Sequence, residues 1–338
     1  MVGMASVPVV RLPLQGGLPP VAVPAGAVVE IACDESGFSG TNLLDPVTPV
    51  ITHASVDLSV QEAAALITAL RSGFRFSPAE FKSGPFLRGP RAAEAQEWFL
   101  AELRGRAHIH LVDKEFFLAT RIVDLFLAEP SYAAGTRLTQ RHRPAALALY
   151  RSGRAAGAGW LPFLAAFVEL VRTKRRHRPD RRALERFFAA RDALLRDAPP
   201  DEVLDTLDAA GVWEVVTRLG DDPSIPPPLE PLVPAVAETV LFWSAGRRQV
   251  LVFHDEQSAL TAGRLRRLQQ LLADASPLPE TGESPLAGLV MVDSRDDPRV
   301  QVADLLAGIA RRLPRIIDDG PLQPFLSPTS LRDPEYAT

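Results

Sequence analysis

The 338-residue chain contains one cysteine, Cys33, and three lysines, and its uninterrupted apolar stretches stay short of the roughly 18 residues that a membrane-crossing helix needs. A lone cysteine excludes an internal disulfide. No Cys/His cluster has zinc-site spacing, so structural zinc is not expected, and a reducing, cytoplasmic setting is. The N-terminus lacks the charged and apolar regions of a signal peptide, which predicts neither export nor a place in a membrane. Also missing are the glycine-rich phosphate loop, the dinucleotide fingerprint and the G-x-S-x-G elbow. ATPase, dinucleotide-dependent and α/β-hydrolase readings therefore have no support. A net charge of −4 and a pI near 5.9 provide no overall attraction to nucleic acid, so such binding needs a local basic patch.

With 46% hydrophobic residues, the chain has ample material for a packed core. Residues 1–25 are proline-rich and aperiodic, and read as an extended or disordered leader. Short apolar, β-branched runs predict strands at 27–33, 47–58, 107–113, 248–258 and 287–294. Apolar residues at helical spacing predict helices at 59–73, 89–105, 114–129, 260–274 and 295–313. Ser59 and Glu62 have the spacing of a capping box, and Asp297 before Pro298 that of an N-cap. Residues 131–234 read as a helical, arginine-rich insertion ending in a proline-rich exit, and 316–338 as a tail. The pattern as a whole predicts an α/β fold: a mixed, mostly five-stranded sheet flanked by helices.

Three of the apolar runs lead into an acid: Asp34, Asp255 and Asp293. In open α/β sheets, ligands bind outside the carboxyl ends of the strands. Asp304 is a fourth candidate. It stands in the otherwise apolar VQVADLLAGIA, sharing a helix face with Gln301 and Gly308, where an unpaired carboxylate is costly. Carboxylates far apart in sequence but convergent in space suit Mg²⁺ or Mn²⁺, which take hard oxygen ligands, and suit two-metal phosphoryl chemistry. Glu80 and Lys82, in FSPAEFKSGPF, extend the set with a further ligand and a cation for phosphate charge.

DESG after an N-terminal apolar strand, the E-x-K of Glu80 to Lys82, a strand ending in HDE at 254–256, and VDS…QVADLLAG at 292–308 occur in that order. Together they resemble the bacterial domain of unknown function 3800 family over roughly residues 27–125 and 235–313. That resemblance implies a ribonuclease H-like fold, with Asp34 as the bridging first-strand carboxylate and Asp304 as the C-terminal metal ligand. The expected activity is metal-dependent phosphodiester hydrolysis of RNA or DNA, a nuclease-like hydrolase using Asp34, Glu80, Lys82, Asp255 and Asp304. Glu35, Ser36, His254, Asp293 and Gln301 would support the site. A non-catalytic nucleic-acid- or protein-binding module of the same fold, in a defence or mobile-element system, is the alternative, and hydrolysis of a small phosphorylated metabolite is a third. A homo-oligomer or complex subunit is compatible with each.

Simpler readings exist for every residue. Asp34, Glu35 and Ser36 before Gly37 suit a plain turn, as do Asp293 and Ser294. Asp255 and Glu256 suit a helix N-cap, and Asp304 suits a buried salt bridge. Cys33 reads as core, and His108 and His110 alternate on a strand facing solvent or a helix. Segment 131–190 holds 13 Lys/Arg against three Asp/Glu, and within it Arg172, Lys174, Arg175, Arg176 and Arg178 form a candidate phosphate-binding run. No aromatics interleave with that run, so a stacking platform for single strands is not indicated.

Overall fold

The computed structural model describes residues 16–20, 27–38, 40, 42–74, 83–172, 180–197, 199, 201–222, 224–312 and 320–335. Five strands, β1 (Val28–Ser36), β2 (Val50–Val56), β3 (Ala107–Asp113), β4 (Gln249–Asp255) and β5 (Leu286–Val292), form one mixed sheet in the order β3-β2-β1-β4-β5. β2 runs antiparallel to β1 and β3, whereas β4 is parallel to both β1 and β5. Between β2 and β3 lie α1 (Val60–Phe74), α2 (Ser83–Phe86) and α3 (Ala92–Glu102). After β3 come α4 (Lys114–Phe126), α5 (Arg143–Ala155), α6 (Trp160–Val171), α7 (Arg181–Asp197), α8 (Glu202–Thr206), α9 (Ala209–Arg218) and α10 (Leu232–Ser244). α11 (Ala262–Ala275) joins β4 to β5, and α12 (Pro298–Arg312) follows β5. The α/β class and the five-stranded mixed sheet with flanking helices are as expected.

Because side chains alternate across a strand, each face of the sheet buries its own set. On β1, Val29, Ile31 and Cys33 enter a core shared with α4, α6, α7 and α10, while Ala32 packs with α1, α3 and α12. The second core fixes α12 over β1 and β2. Thr52 of β2 donates its hydroxyl to the Ala307 carbonyl at 2.7 Å, and Leu305, Leu306 and Ile309 are fully buried or nearly so. At the helix start, Asp297 accepts the Arg299 N–H at 2.9 Å as the expected cap. The Arg299 guanidinium grips Asp297 at 2.7 Å and Glu30 of β1 at 3.2 Å, and lies 4.2 Å above the Phe253 ring of β4. These ties fix how far α12, and Asp304 on it, sits from the strand ends.

Two local expectations need correction. β1 continues through Ser36, so Asp34 and Glu35 are strand residues, and the turn begins at Gly37. Gly37 has φ +88°, which takes the backbone out of the strand, and a Cβ there would collide with the Val50 carbonyl, which is why glycine stands at that turn. Second, part of the expected proline-rich exit is helix α10, apolar on nearly every side and buried against the sheet. A helix without a polar face gives no 3.6-residue stripe to read.

Both sheet edges carry short segments of chain. Leu18 pairs with Leu289 of β5 through reciprocal bonds of 2.7 and 2.8 Å, while Leu326 and Leu331 bridge Ile109 and Val112 of β3. Among the described residues, no single helix is long and apolar enough to cross a membrane.

Candidate functional site

The parallel register pairs Cys33 with His254, so Asp34 and Asp255 are the next residues along two neighbouring strands and share the face that α12 covers. Asp34 is 7% exposed and accepts the Glu35 N–H at 2.7 Å. Burial first, then the negative charges of Glu35, Asp304 and Asp255, hold its carboxyl well above the usual carboxylate range. Asp34, Asp255 and Asp304 therefore gather from β1, β4 and α12 at the carboxyl end of the parallel strands. Asp255 is fixed by the Ser294 N–H, donated to its Oδ1 at 3.1 Å. It does not cap α11, as its simpler reading required, because Thr261 holds that position.

The remaining expected residues divide. Glu35 points to the opposite face, where its Oε1 accepts from Gln257 Nε2 at 2.5 Å and its Oε2 is buried without a hydrogen-bond partner. Ser36 accepts from Arg311 Nε at 2.9 Å. Gln301 lies on α12 with its Oε1 buried and unpartnered among the described residues. Asp293 sits in the turn after β5, gripped by its neighbour Arg295 at 2.6 Å. Arg172 is exposed just beyond α6. Glu80, Lys82, Lys174, Arg175, Arg176 and Arg178 lie outside the described residues.

The donor set suits a hard cation: carboxylate oxygens, one of them with its pKa raised by burial and by its acidic neighbours, both of which a positive charge would offset. Among the described residues, no three His, Cys, Asp or Glu side chains already stand in a metal-holding group.

The chain matches no family model, no curated protein and no solved structure.

Several neighbours of the site escaped the sequence reading. Glu230, in the loop before α10, accepts the Leu232 N–H at 3.1 Å and lies 3.6 Å from Arg264. Burial, reinforced by the charge of Glu35, raises its pKa to about 7. Its place between prolines made it look like linker. Beside β4, Gly16, Glu256, Gln257, Ser258, Thr261 and Ala262 line an open groove of about 580 Å³. On the α10 face, His254 meets His53 of β2 with Nε2 atoms 3.2 Å apart. His108 and His110 are buried there, not solvent-facing, and the His108 ring stacks 3.9 Å from Phe242 of α10. Burial is the main cause that lowers His108 to about 3 and His110 to about 4. Cys33 is fully buried, and that burial raises its thiol pKa, as a core cysteine requires.

Proposed function

We propose that this chain is a metal-dependent phosphodiester hydrolase of ribonuclease H-like fold, related to the domain of unknown function 3800 family and acting on RNA or DNA. The sheet order β3-β2-β1-β4-β5, with β2 alone antiparallel, supports the fold reading. The observation that carries the function is the convergence of Asp34, Asp255 and Asp304 on one another from three elements, at a cost to Asp34 ionisation that a cation would remove. Asp34, Asp255 and Asp304 would hold Mg²⁺ or Mn²⁺, with Glu80 as a further oxygen ligand. Bound there, the ion supplies a Lewis acid and a water of lowered pKa. The protein's own part is positional. The Ser294 N–H fixes the Asp255 carboxylate, and the Arg299 clamp fixes the height of α12. Lys82 would offset charge developing on the phosphate. Arg172, Lys174, Arg175, Arg176 and Arg178 would follow the substrate backbone, by ion pairing that weakens with salt. The single, buried cysteine is in keeping with a cytoplasmic home.

The absence of a ready three-ligand group among the described residues favours a second reading, a non-catalytic binding module of the same fold. Cleavage of labelled single- and double-stranded RNA and DNA in Mg²⁺ or Mn²⁺ separates the two. The hydrolase reading expects metal-dependent cleavage that Asp34→Asn reduces by about a hundredfold or more. Binding without cleavage by the wild type would hand the case to the module.

A further inference from the structure

Three contacts lay α12 along β1 in order. Near the helix start Arg299 reaches Glu30 at 3.2 Å, next Asp304 stands by Asp34, and in the last turn Arg311 Nε donates to Ser36 Oγ at 2.9 Å. Glu30, Asp34 and Ser36 alternate onto one face of the strand, the face that Thr52 ties to α12 through the Ala307 carbonyl. Ser36 therefore follows Asp34 by one pleat, roughly 7 Å toward the carboxyl edge of the sheet. Arg311 follows Asp304 by two helical turns, roughly 10 Å along α12. The residue between them on that helix face is Gly308, which has no side chain.

Arg311 is half-buried, and among the described residues neither its two terminal nitrogens nor its charge has a carboxylate partner. By contrast Arg299 pairs with Asp297 and Glu30, and Arg295 with Asp293. A second cation lies close by. Lys114, at the carboxyl end of β3, is buried with Nζ donating to Thr48 Oγ1 at 3.0 Å. Burial lowers its pKa, Asp45 opposes the shift and the Arg311 charge adds to it, so the two cations lie within each other's field. An anion at Arg311 relieves that repulsion. Phosphate has the matching shape: with Nε engaged by Ser36, Nη1 and Nη2 remain to donate to its oxygens, and Ser36, accepting from Arg311, keeps its own O–H to donate.

We propose that Arg311 and Ser36 form a phosphate subsite, which takes the backbone phosphate next to the one bound at Asp34, Asp255 and Asp304. The ligand this requires is a nucleic-acid strand with consecutive phosphates, not a lone phosphoester. The subsite rests on the hydrolase reading for its place beside the cluster, but strand binding measures it without cleavage. The plainer role for Arg311 is a last-turn cation that offsets the α12 dipole, which predicts lost stability and undiminished binding when the charge is removed.

The test is fluorescence anisotropy of the full chain with labelled oligothymidylate and oligouridylate, in Ca²⁺ and over a range of salt. Arg311→Gln should raise Kd about tenfold or more and flatten the salt dependence by about 0.7 in log Kd per log salt, the share of one phosphate contact. The control is Arg267→Gln, which removes an equal charge from an exposed position on α11, packed in the other core, and should leave Kd within about twofold. Where Mg²⁺ supports cleavage, Arg311→Gln should lower kcat/KM on a strand about tenfold more than on bis(p-nitrophenyl) phosphate, which carries one phosphate. Equal Kd for Arg311→Gln and wild type, equal losses in Arg311→Gln and Arg267→Gln, or no strand binding by the wild type would overturn the subsite. If Arg311→Gln fails to fold, Arg311→Lys decides. It keeps the charge and loses the fork, so severalfold weaker binding supports the subsite and unchanged binding overturns it. A wild type that binds strands through Arg311 without cleaving them would end the hydrolase reading alone and leave the subsite standing.

Discussion

Asp34 and Glu230 are acids whose surroundings oppose ionisation, and Glu230 offers the cleaner titration because it is not itself a proposed metal ligand. Its folded-state pKa of about 7 lies above the ordinary value of 4.5. The protonated form therefore contributes stability in full below about pH 4.5, and that contribution is lost as the pH rises through about 7. A shift of this size is linked to at most about 3 kcal/mol. Glu230→Gln keeps an oxygen for the Leu232 N–H and removes the titration, so urea unfolding at about pH 5 and pH 8 should differ less in the variant than in the wild type. An unchanged difference would mean that another group governs this pH range. Asp34 and Asp304 were legible as single residues because each is an acid bordered by apolar sequence. The pairing of His53 with His254 was not, since 201 positions separate them and only the register of β2, β1 and β4 makes them neighbours.

At the scale of elements, local chemistry was the readable part. The Ser59 and Glu62 box forms as spaced: Ser59 Oγ accepts the Glu62 N–H at 3.2 Å, and Glu62 Oε2 accepts the Ser59 N–H at 2.7 Å. Arg106 reaches the same carboxylate at 3.2 Å, and with Ser59 it lowers the Glu62 pKa to about 2. Ser59→Ala should cost about 1 kcal/mol, measured as a shift in the denaturation midpoint with unchanged slope. No shift would mean that water or Arg106 replaces the cap. The strands at 107–113 and 249–255 were readable from short β-branched runs, as was the α12 cap from Asp297 and Pro298. α10 was not, because its buried surface is nearly continuous. β1 was cut short because Asp34, Glu35 and Ser36 favour turns on their own, and pairing with Ala54, His53 and Thr52 of β2 overrides that preference.

For the whole molecule, the sheet presents two chemically distinct faces at the carboxyl ends of β1 and β4: oxygen donors under α12, and imidazoles with one carboxylate under α10. The arginine-rich run after α6 is the nucleic-acid part of the account. Replacing Arg175, Arg176 and Arg178 with glutamine should weaken binding to nucleic acid and flatten its dependence on salt, with the melting curve unchanged. Identical salt slopes for variant and wild type would make the run ordinary surface. The central claim, that Asp34, Asp255 and Asp304 converge to hold a divalent ion, is tested most directly by thermal unfolding of wild type and Asp304→Asn, each with and without millimolar Mg²⁺. The account predicts that Mg²⁺ raises the wild-type melting temperature. It predicts that the metal-free variant is at least as stable as the wild type, since one crowding charge is gone, and that Mg²⁺ no longer shifts it. A wild-type curve indifferent to Mg²⁺, or a metal-free variant destabilised by the roughly 3–5 kcal/mol of a broken buried ion pair, would contradict it.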